Sequence, residues 1–434
     1  MSKARQAIPT VTFVDEYCRL YQDLFPDVRS FEHFKFLHVG MLSEIKRKTL
    51  PAIAKVAGDL DPQALHHFVV KAPWSVEELR TRRLTLLRQA LAGRSFVLCI
   101  DETGDRKKGK TTEYVAHQYI GNLGKLANGI VSVNAYGILD HITFPLLFKV
   151  YKPRTRLQPG DTYKTKPQLA VELIQELQHC GFRFEVVLAD SLYGESSDFI
   201  SELEKLHLKY VVAIRSNHGV WLPPGQRVRY TNWRPFERVF SNGDSQTRYI
   251  REIVFGQRGR IRYYHLTTDP QTLPPESTWY IMTNLEGHIR KTVGNTYGLR
   301  TWIEYGFKHA KNELGWADFR VTDYTSIERW WELVSCAYLL VSVQSPVFQH
   351  ADNASGRSHL STVATPPDRF AEHRWWDSGQ GWKNILNNLR LILQPYVYYC
   401  LLLPWLLLFD IPGFRAGFFQ LIGIMNSLHA ALPM

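Results

Sequence analysis

Long apolar runs are scarce in this sequence. The most apolar one, YYCLLLPWLLLF from Tyr398 to Phe409, falls short of the roughly 20 residues that a bilayer crossing needs. It contains Pro404 and is followed by Asp410 and Pro412, so it reads as a buried helix, and no membrane partner is expected. The N-terminal MSKARQAIPTVTFVDEY has no apolar stretch of the kind a secretory signal requires, and no export is implied. Cysteine is sparse as well: the five residues Cys18, Cys99, Cys180, Cys336 and Cys400 are odd in number and form no CxxC pair. That pattern indicates neither a disulfide framework nor a zinc site and points to a reducing cytoplasm. Negative charge is in deficit, with 41 acidic against 52 basic residues and a formal charge of +11. The Lys and Arg are spread along the whole chain, which suits extended contact with a polyanion. Nucleic acid is the leading partner, and a solvated basic surface is the plainer alternative. Against these shortages stands an apolar fraction of 45% in 434 residues, enough for one large core with one or two satellites.

Residues 1–92 carry the periodic apolar pattern of helices and are expected to form an N-terminal DNA-binding region. Within KTLPAIAKVAGDLDPQALHHFVVKAPW a short apolar helix breaks at Gly58, Asp61 can cap a second helix, and Pro62 sits in its first turn. This outlines a helix-turn-helix offering Gln63, His66, His67 and Lys71 to a DNA groove; a purely structural corner has the same outline. From Arg94 the period shifts to that of strands. SFVLCI ends at Asp101, and YVAHQYIG, IVSVNAYGI and HITFPLLFKVY follow. KPQLAVELIQELQHCG is an amphipathic helix, FEVVLAD a strand ending in Asp190, and a helix and the strand YVVAIR complete the series. That order predicts an α/β, ribonuclease H-like core at 93–214 that resumes at 279–345. Between them, residues 215–278 read as a β-strand-rich insertion with ten arginines and no lysine from Arg215 to Arg262, interleaved with aromatics. Arginine forks match phosphates and aromatic faces accept unstacked bases, so the insertion reads as a DNA-gripping module. The alternative is a charged sheet over an aromatic core. Residues 346–434 read as a C-terminal helical region interrupted by a loop at ADNASGRSHLSTVATPPD.

Phosphodiester transfer with two divalent ions needs three or four carboxylates converging on ions about 4 Å apart. Asp101 and Asp190 each terminate an apolar strand, and the fold order lets those strand ends meet; either one alone reads more readily as a turn or cap residue. A third candidate lies on a helix expected from Thr296 to Gly315. With Arg300 at zero and about 100° per residue, Glu304 falls near 40°, Lys311 near 20° and Tyr297 near 60°. Leu299, Ile303, Phe307, Ala310 and Leu314 fill the adjoining arc, as the packed stripe of an amphipathic helix should. An i, i+4 salt bridge accounts for Arg300 and Glu304 but not for all four. Of the neighbours, Glu102 should point to the opposite side of its strand from Asp101. Asp105 lies in the basic turn, and Glu195 and Asp198 suit a helix cap. Lys107, Lys108 and Lys110 suit either phosphate contact or a solvated hairpin tip.

The segment YGLRTWIEYGFKHAK holds Y-x2-R-x3-E-x6-K without a gap. Together with IDETGDRKKG, HQYIGNLGK and LADSLYGE, in that order, it resembles the hairpin-forming branch of insertion-sequence DDE transposases. The resemblance covers roughly residues 60–345. It implies that Asp101, Asp190 and Glu304 are catalytic and hold two Mg²⁺ ions, with Mn²⁺ able to substitute. It implies phosphate contacts from Tyr297, Arg300 and Lys311, and stacking of Trp279, in STWYIMTN, on a flipped base. The implied partners are double-stranded DNA, as inverted-repeat ends and as target, and a second copy of the chain through the C-terminal helices. The implied setting is the nucleoid of a bacterial cytoplasm. The implied activity is cleavage at transposon ends with strand transfer into target DNA. Its rivals are a ribonuclease H-like nuclease without strand transfer and a non-catalytic, transposase-derived DNA-binding protein.

Overall fold

Capping side chains divide the start of the chain into helices. In the computed structural model, which describes residues 5–427 apart from 59, 241–242, 350–372 and 410, these are α1 (Thr12–Arg19), α2 (Val28–Leu42), α3 (Leu50–Ala57), α4 (Pro62–Val70) and α5 (Val76–Leu91). Asp27 accepts from the Ser30 amide at 2.8 Å, Asp61 from Gln63 at 2.9 Å and Ser75 from Glu78 at 3.2 Å, each satisfying a donor the helix start leaves free. The turn between α3 and α4 passes through Gly58 at φ 131°, a conformation that favours glycine. On α4, Leu65, Phe68 and Val69 are buried, while Gln63, His66, His67 and Lys71 face outward.

The helices share one core with the sheet that follows. Arg83 of α5 is fully buried and ion-paired to Glu332 on α11 (Tyr324–Val343). Its fork also reaches the Pro145 and Leu146 carbonyls of β4 (Ile142–Val150), each at 2.9 Å.

The sheet is mixed and eleven-stranded, in the order β2-β3-β1-β5-β6-β11-β10-β9-β7, with β4 also on β3 and β8 also on β9. Its strands are β1 (Phe96–Arg106), β2 (Ala116–Ile120), β3 (Lys125–Leu139), β4 (Ile142–Val150), β5 (Phe184–Ala189), β6 (Tyr210–Ile214), β7 (Val228–Tyr230), β8 (Arg234–Val239), β9 (Ser245–Phe255), β10 (Arg262–Thr267) and β11 (Trp279–Thr283). β1 is antiparallel to β3 and parallel to β5, and β5 is parallel to β6. Helices α6 (Lys166–His179), α7 (Ser191–Gly194) and α8 (Ser197–Lys205) connect the parallel strands. This is the α/β, ribonuclease H-like order expected from the sequence. β7 to β10 continue the same sheet, because β11 returns antiparallel beside β6 and carries them on its far side.

Two expectations change. β1 does not end at Asp101: it runs on to Arg106, with Asp101 paired to Asn134 and Asp105 to Ile130 on β3. The helix expected from Thr296 to Gly315 is three segments, α9 (Val293–Gly298), α10 (Thr301–Lys308) and a π-helical turn at His309–Glu313.

After α11 and the short α12 (Pro346–Gln349), the loop expected at residues 351–368 falls outside the described residues. α13 (Trp382–Leu408) then spans 27 residues and is long and apolar enough, by length and composition, to cross a membrane. Its first half is packed: Leu386, Leu389 and Leu393 are buried, and Arg390 donates to the Leu42 carbonyl and to Glu313, both at 2.8 Å. Its second half overturns the buried helix expected at Tyr398–Phe409, since Tyr398, Leu401, Trp405, Leu407 and Leu408 are exposed. Apolar composition had suggested burial, but the element that packs there is α14 (Phe414–Ser427), through Tyr399 against Phe418 and Phe419 at 5.9 and 5.1 Å, and it covers one side only. The exposed half supplies only about half of the ~20 residues a crossing needs, and the other half is fixed in the core.

Candidate active site

Register brings the two aspartates together. Ile100 lies beside Ala189, the last residue of β5, so Asp190 emerges next to Asp101 where β5 stops and β1 continues. Asp190 then caps α7, accepting from the Leu192 amide at 2.9 Å. The chain can turn so sharply because Gly194 lies against β6; a Cβ there would stand 1.9 Å from the Ala213 carbonyl oxygen. Gly194→Ala is therefore expected to push α7 off the sheet at a cost of about 2 kcal/mol. Denaturant unfolding measures that cost, and cleavage assayed where the variant is fully folded should still be slowed, because Asp190 moves with α7.

The signature residues meet β1 from the side of α9 and α10. The Arg300 guanidinium donates to Asp101 at 2.8 Å and to Glu304 at 3.3 Å, so it stands between two of the expected metal ligands. Lys311, carried by the π turn, pairs with Asp105 at 2.7 Å and donates to the Gly104 carbonyl at 2.7 Å. The helical segment thus runs alongside β1, anchored at Arg300 and at Lys311. Gly306 lets it approach, since a Cβ there would lie 2.7 Å from the Tyr136 ring. Ile303, Ala310 and Leu314 are buried, as the apolar stripe required. Tyr297 is half-buried beside Arg300, and burial raises its hydroxyl pKa. Glu304 is the most open of the three expected ligands, its side chain 49% exposed.

The local field is strongly unbalanced. Burial pushes the Asp101 carboxyl up to about 7; Asp190 and Glu102 add to the rise and Arg300 opposes it. Burial also raises Asp190, with Glu102 the nearest like charge in effect. Glu102 does lie on the other side of β1, where it accepts from Lys166 at 2.9 Å and from the Tyr193 hydroxyl at 3.0 Å. Lys166 and Tyr193 were missed in the sequence; their signal was position, at the start of one helix and three residues beyond Asp190. Glu195 accepts from the Arg215 amide at 2.7 Å, and Ser196 rather than Asp198 caps α8. Lys107 sits 3.3 Å over the Phe319 ring, away from the hairpin tip.

The donor set suits an oxygen-ligated divalent ion, because two half-buried carboxylates of like charge stand together and favour a cation between them. Glu304 does not converge with them in this conformation. Among the described residues no three such ligands are close enough to hold an ion.

Trp279 opens β11 at the same end of the sheet as Asp190, since Tyr280 pairs with Ile214 at the end of β6. The Arg248 guanidinium lies 4.8 Å from its ring. Several insertion arginines are used internally: Arg238 donates to the Gly298 carbonyl at 2.8 Å, and Arg251 stacks on Tyr230 and Trp233 at 4.5 and 4.4 Å. A planar fork can lie flat on a ring while still donating from several N–H groups, which accounts for part of the exclusion of lysine.

A family model described as DDE superfamily endonuclease matches residues 20–247, which include Asp101 and Asp190 and stop short of Glu304. A protein of Microchaete diplosiphon described as "Probable transposase for insertion sequence element IS701" is 56% identical over 357 residues, covering 82% of this chain and 94% of that protein. Proteins of this superfamily use divalent metal ions in cutting DNA. The chain belongs to the DDE superfamily of endonucleases, among the transposases of insertion sequences.

Proposed function

We propose that this transposase cuts its element at inverted-repeat ends and joins the freed 3′-hydroxyls to target DNA, with Asp101, Asp190 and Glu304 as the ligands of two Mg²⁺ ions. The observation that carries this reading is the segment holding Tyr297, Arg300, Glu304 and Lys311 alongside β1, with Arg300 bridging Asp101 and Glu304. When bound, the ions would supply an activated water and would stabilise the departing oxygen. The chain's own residues bind and orient the DNA. Arg300 holds the place of a cation between carboxylates until DNA arrives, then turns its fork to a phosphate oxygen. Lys311 and the Tyr297 hydroxyl fix neighbouring phosphates, and Trp279 stacks on a base displaced while a hairpin end forms. Gln63, His66, His67 and Lys71 on α4 read the duplex farther from the cut. A pre-cut end with a 3′-hydroxyl, incubated with a target plasmid, tests the reading: a joined product is expected, and hydrolysis without joining would leave the nuclease alternative.

The proposed working form is a dimer on DNA, built through the exposed apolar face of α13 and α14. Monomers rarely leave so large an apolar patch uncovered. Leu408→Asp is expected to halve the mass read by light scattering on the DNA-bound protein, and an unchanged mass would rule this surface out.

A further inference from the structure

A dense charged cluster outside the active site surrounds Glu252 of β9. Its side chain is only 1% exposed, yet it receives three guanidiniums: Arg258 at 2.9 Å, Arg262 at 3.2 Å and Arg290 at 3.1 Å. One carboxylate balances one of these charges, so the cluster keeps a positive excess. Glu252 instead fixes the directions of the forks, and Arg262 is pinned further by donating to the Gly287 carbonyl at 2.6 Å. Arg258 is 56% exposed and Arg290 36%. They open into a groove of about 960 Å³ that Arg260 and Lys291 also line, with Glu286 the one acidic residue on its wall. The volume is several times that of a phosphate group and fits a stretch of sugar–phosphate backbone.

The groove shares a face of the sheet with the active site. Gly294 of α9 lies against Leu266, and alternation along β10 puts Tyr264 and Arg262 on that same face, with Glu252 opposite Tyr264. Arg290 lies three residues before the start of α9, and α9 leads on to Arg300. From β1 to β10 there are four strand steps of about 4.8 Å, so the groove lies on the order of 20 Å from Asp101. Along B-form DNA that is roughly six base pairs.

We propose that the Glu252-centred arginines form a second DNA-backbone site, gripping phosphates about six base pairs from the one being cut. The inference rests on the transposase reading above and adds a ligand site remote from the carboxylates. It reads no sequence, because forks held to phosphates carry none. The test is Arg258→Gln with Arg260→Gln, which leaves Glu252 paired to Arg262 and Arg290 and so keeps the fold. On a duplex of about 30 base pairs, the slope of log affinity against log salt should fall by about 2, with binding roughly tenfold weaker at fixed salt. Neutral methylphosphonate linkages placed about six base pairs from the mapped cut should weaken the wild-type protein more than the variant, which keeps only Arg262, Arg290 and Lys291 there. An unchanged slope, or an equal effect of the neutral linkages on both proteins, overturns the site. If the wild-type protein neither binds nor cuts DNA, the transposase reading fails instead.

Discussion

Replacing Glu304 with Gln is expected to slow DNA strand cleavage in Mg²⁺ by about a thousandfold, equivalent to ~4 kcal/mol of transition-state stabilisation, while leaving the fold intact. The side chain is half exposed and its one charged partner, Arg300, is 3.3 Å away. An exposed i, i+4 pair of this kind contributes only about 0.3–0.5 kcal/mol, so the loss cannot be structural. Gln keeps the size and one oxygen but, on the proposed reading, brings no charge to the ions, which Asp101 and Asp190 alone would then hold. Cleavage of a labelled element end, with melting temperature measured in parallel, decides the matter; undiminished cleavage would remove Glu304 from the triad. Asp101→Asn gives the complementary result. Its folded-state pKa is raised, so the stability it contributes is full below its ordinary value near 3.8 and is lost as pH rises towards about 7. In chelator, the wild-type protein should therefore lose stability across that window, and the Asn variant should lose less.

Local patterns made the order of strands and the apolar stripe of α10 legible, because periods of 2 and 3.6 are written in neighbouring residues. The two aspartates were legible as candidates for the same reason. The continuation of β1 was not: TGDR has turn-forming residues, and it is held extended as the last four of ten paired positions on β3, from Val97↔Ile138 to Arg106↔Gly129. The wheel that aligned Lys311 with Glu304 assumed a regular helix. The π turn at His309–Glu313 breaks that regularity and delivers Lys311 to Asp105, a pairing visible only once β1 is known to extend that far. The open half of α13 shows the same limit, since hydropathy records what a side chain prefers and not what packs against it.

Arg83 is the extreme case of information that no window contains, for its partner Glu332 lies 249 residues away. On β4 the register with β3 shifts: Leu147 pairs with Ala135 and Pro145 with Tyr136, which leaves Leu146 out of the ladder. Pro145 has no amide proton, and the carbonyls of both residues are met by the two arms of Arg83 at 2.9 Å. The same fork binds Glu332, which Arg80 also touches at 3.4 Å. Arg83→Met would leave two buried carbonyls unpaired and Glu332 with Arg80 alone, so a loss of about 3–5 kcal/mol is expected in denaturant unfolding. Arg83→Lys should lose much of this too, because one ammonium cannot span a carboxylate and two diverging carbonyls. Adding Glu332→Leu to Arg83→Met should recover part of the loss by removing the stranded charge, giving a strongly non-additive pair. A loss below about 1 kcal/mol for Arg83→Met would mean that water or a backbone shift replaces the fork. The catalytic consequence follows from position: β4 supports β3, and β3 holds Asp101 in register. Arg83 is therefore one route by which the N-terminal helices reach the active site.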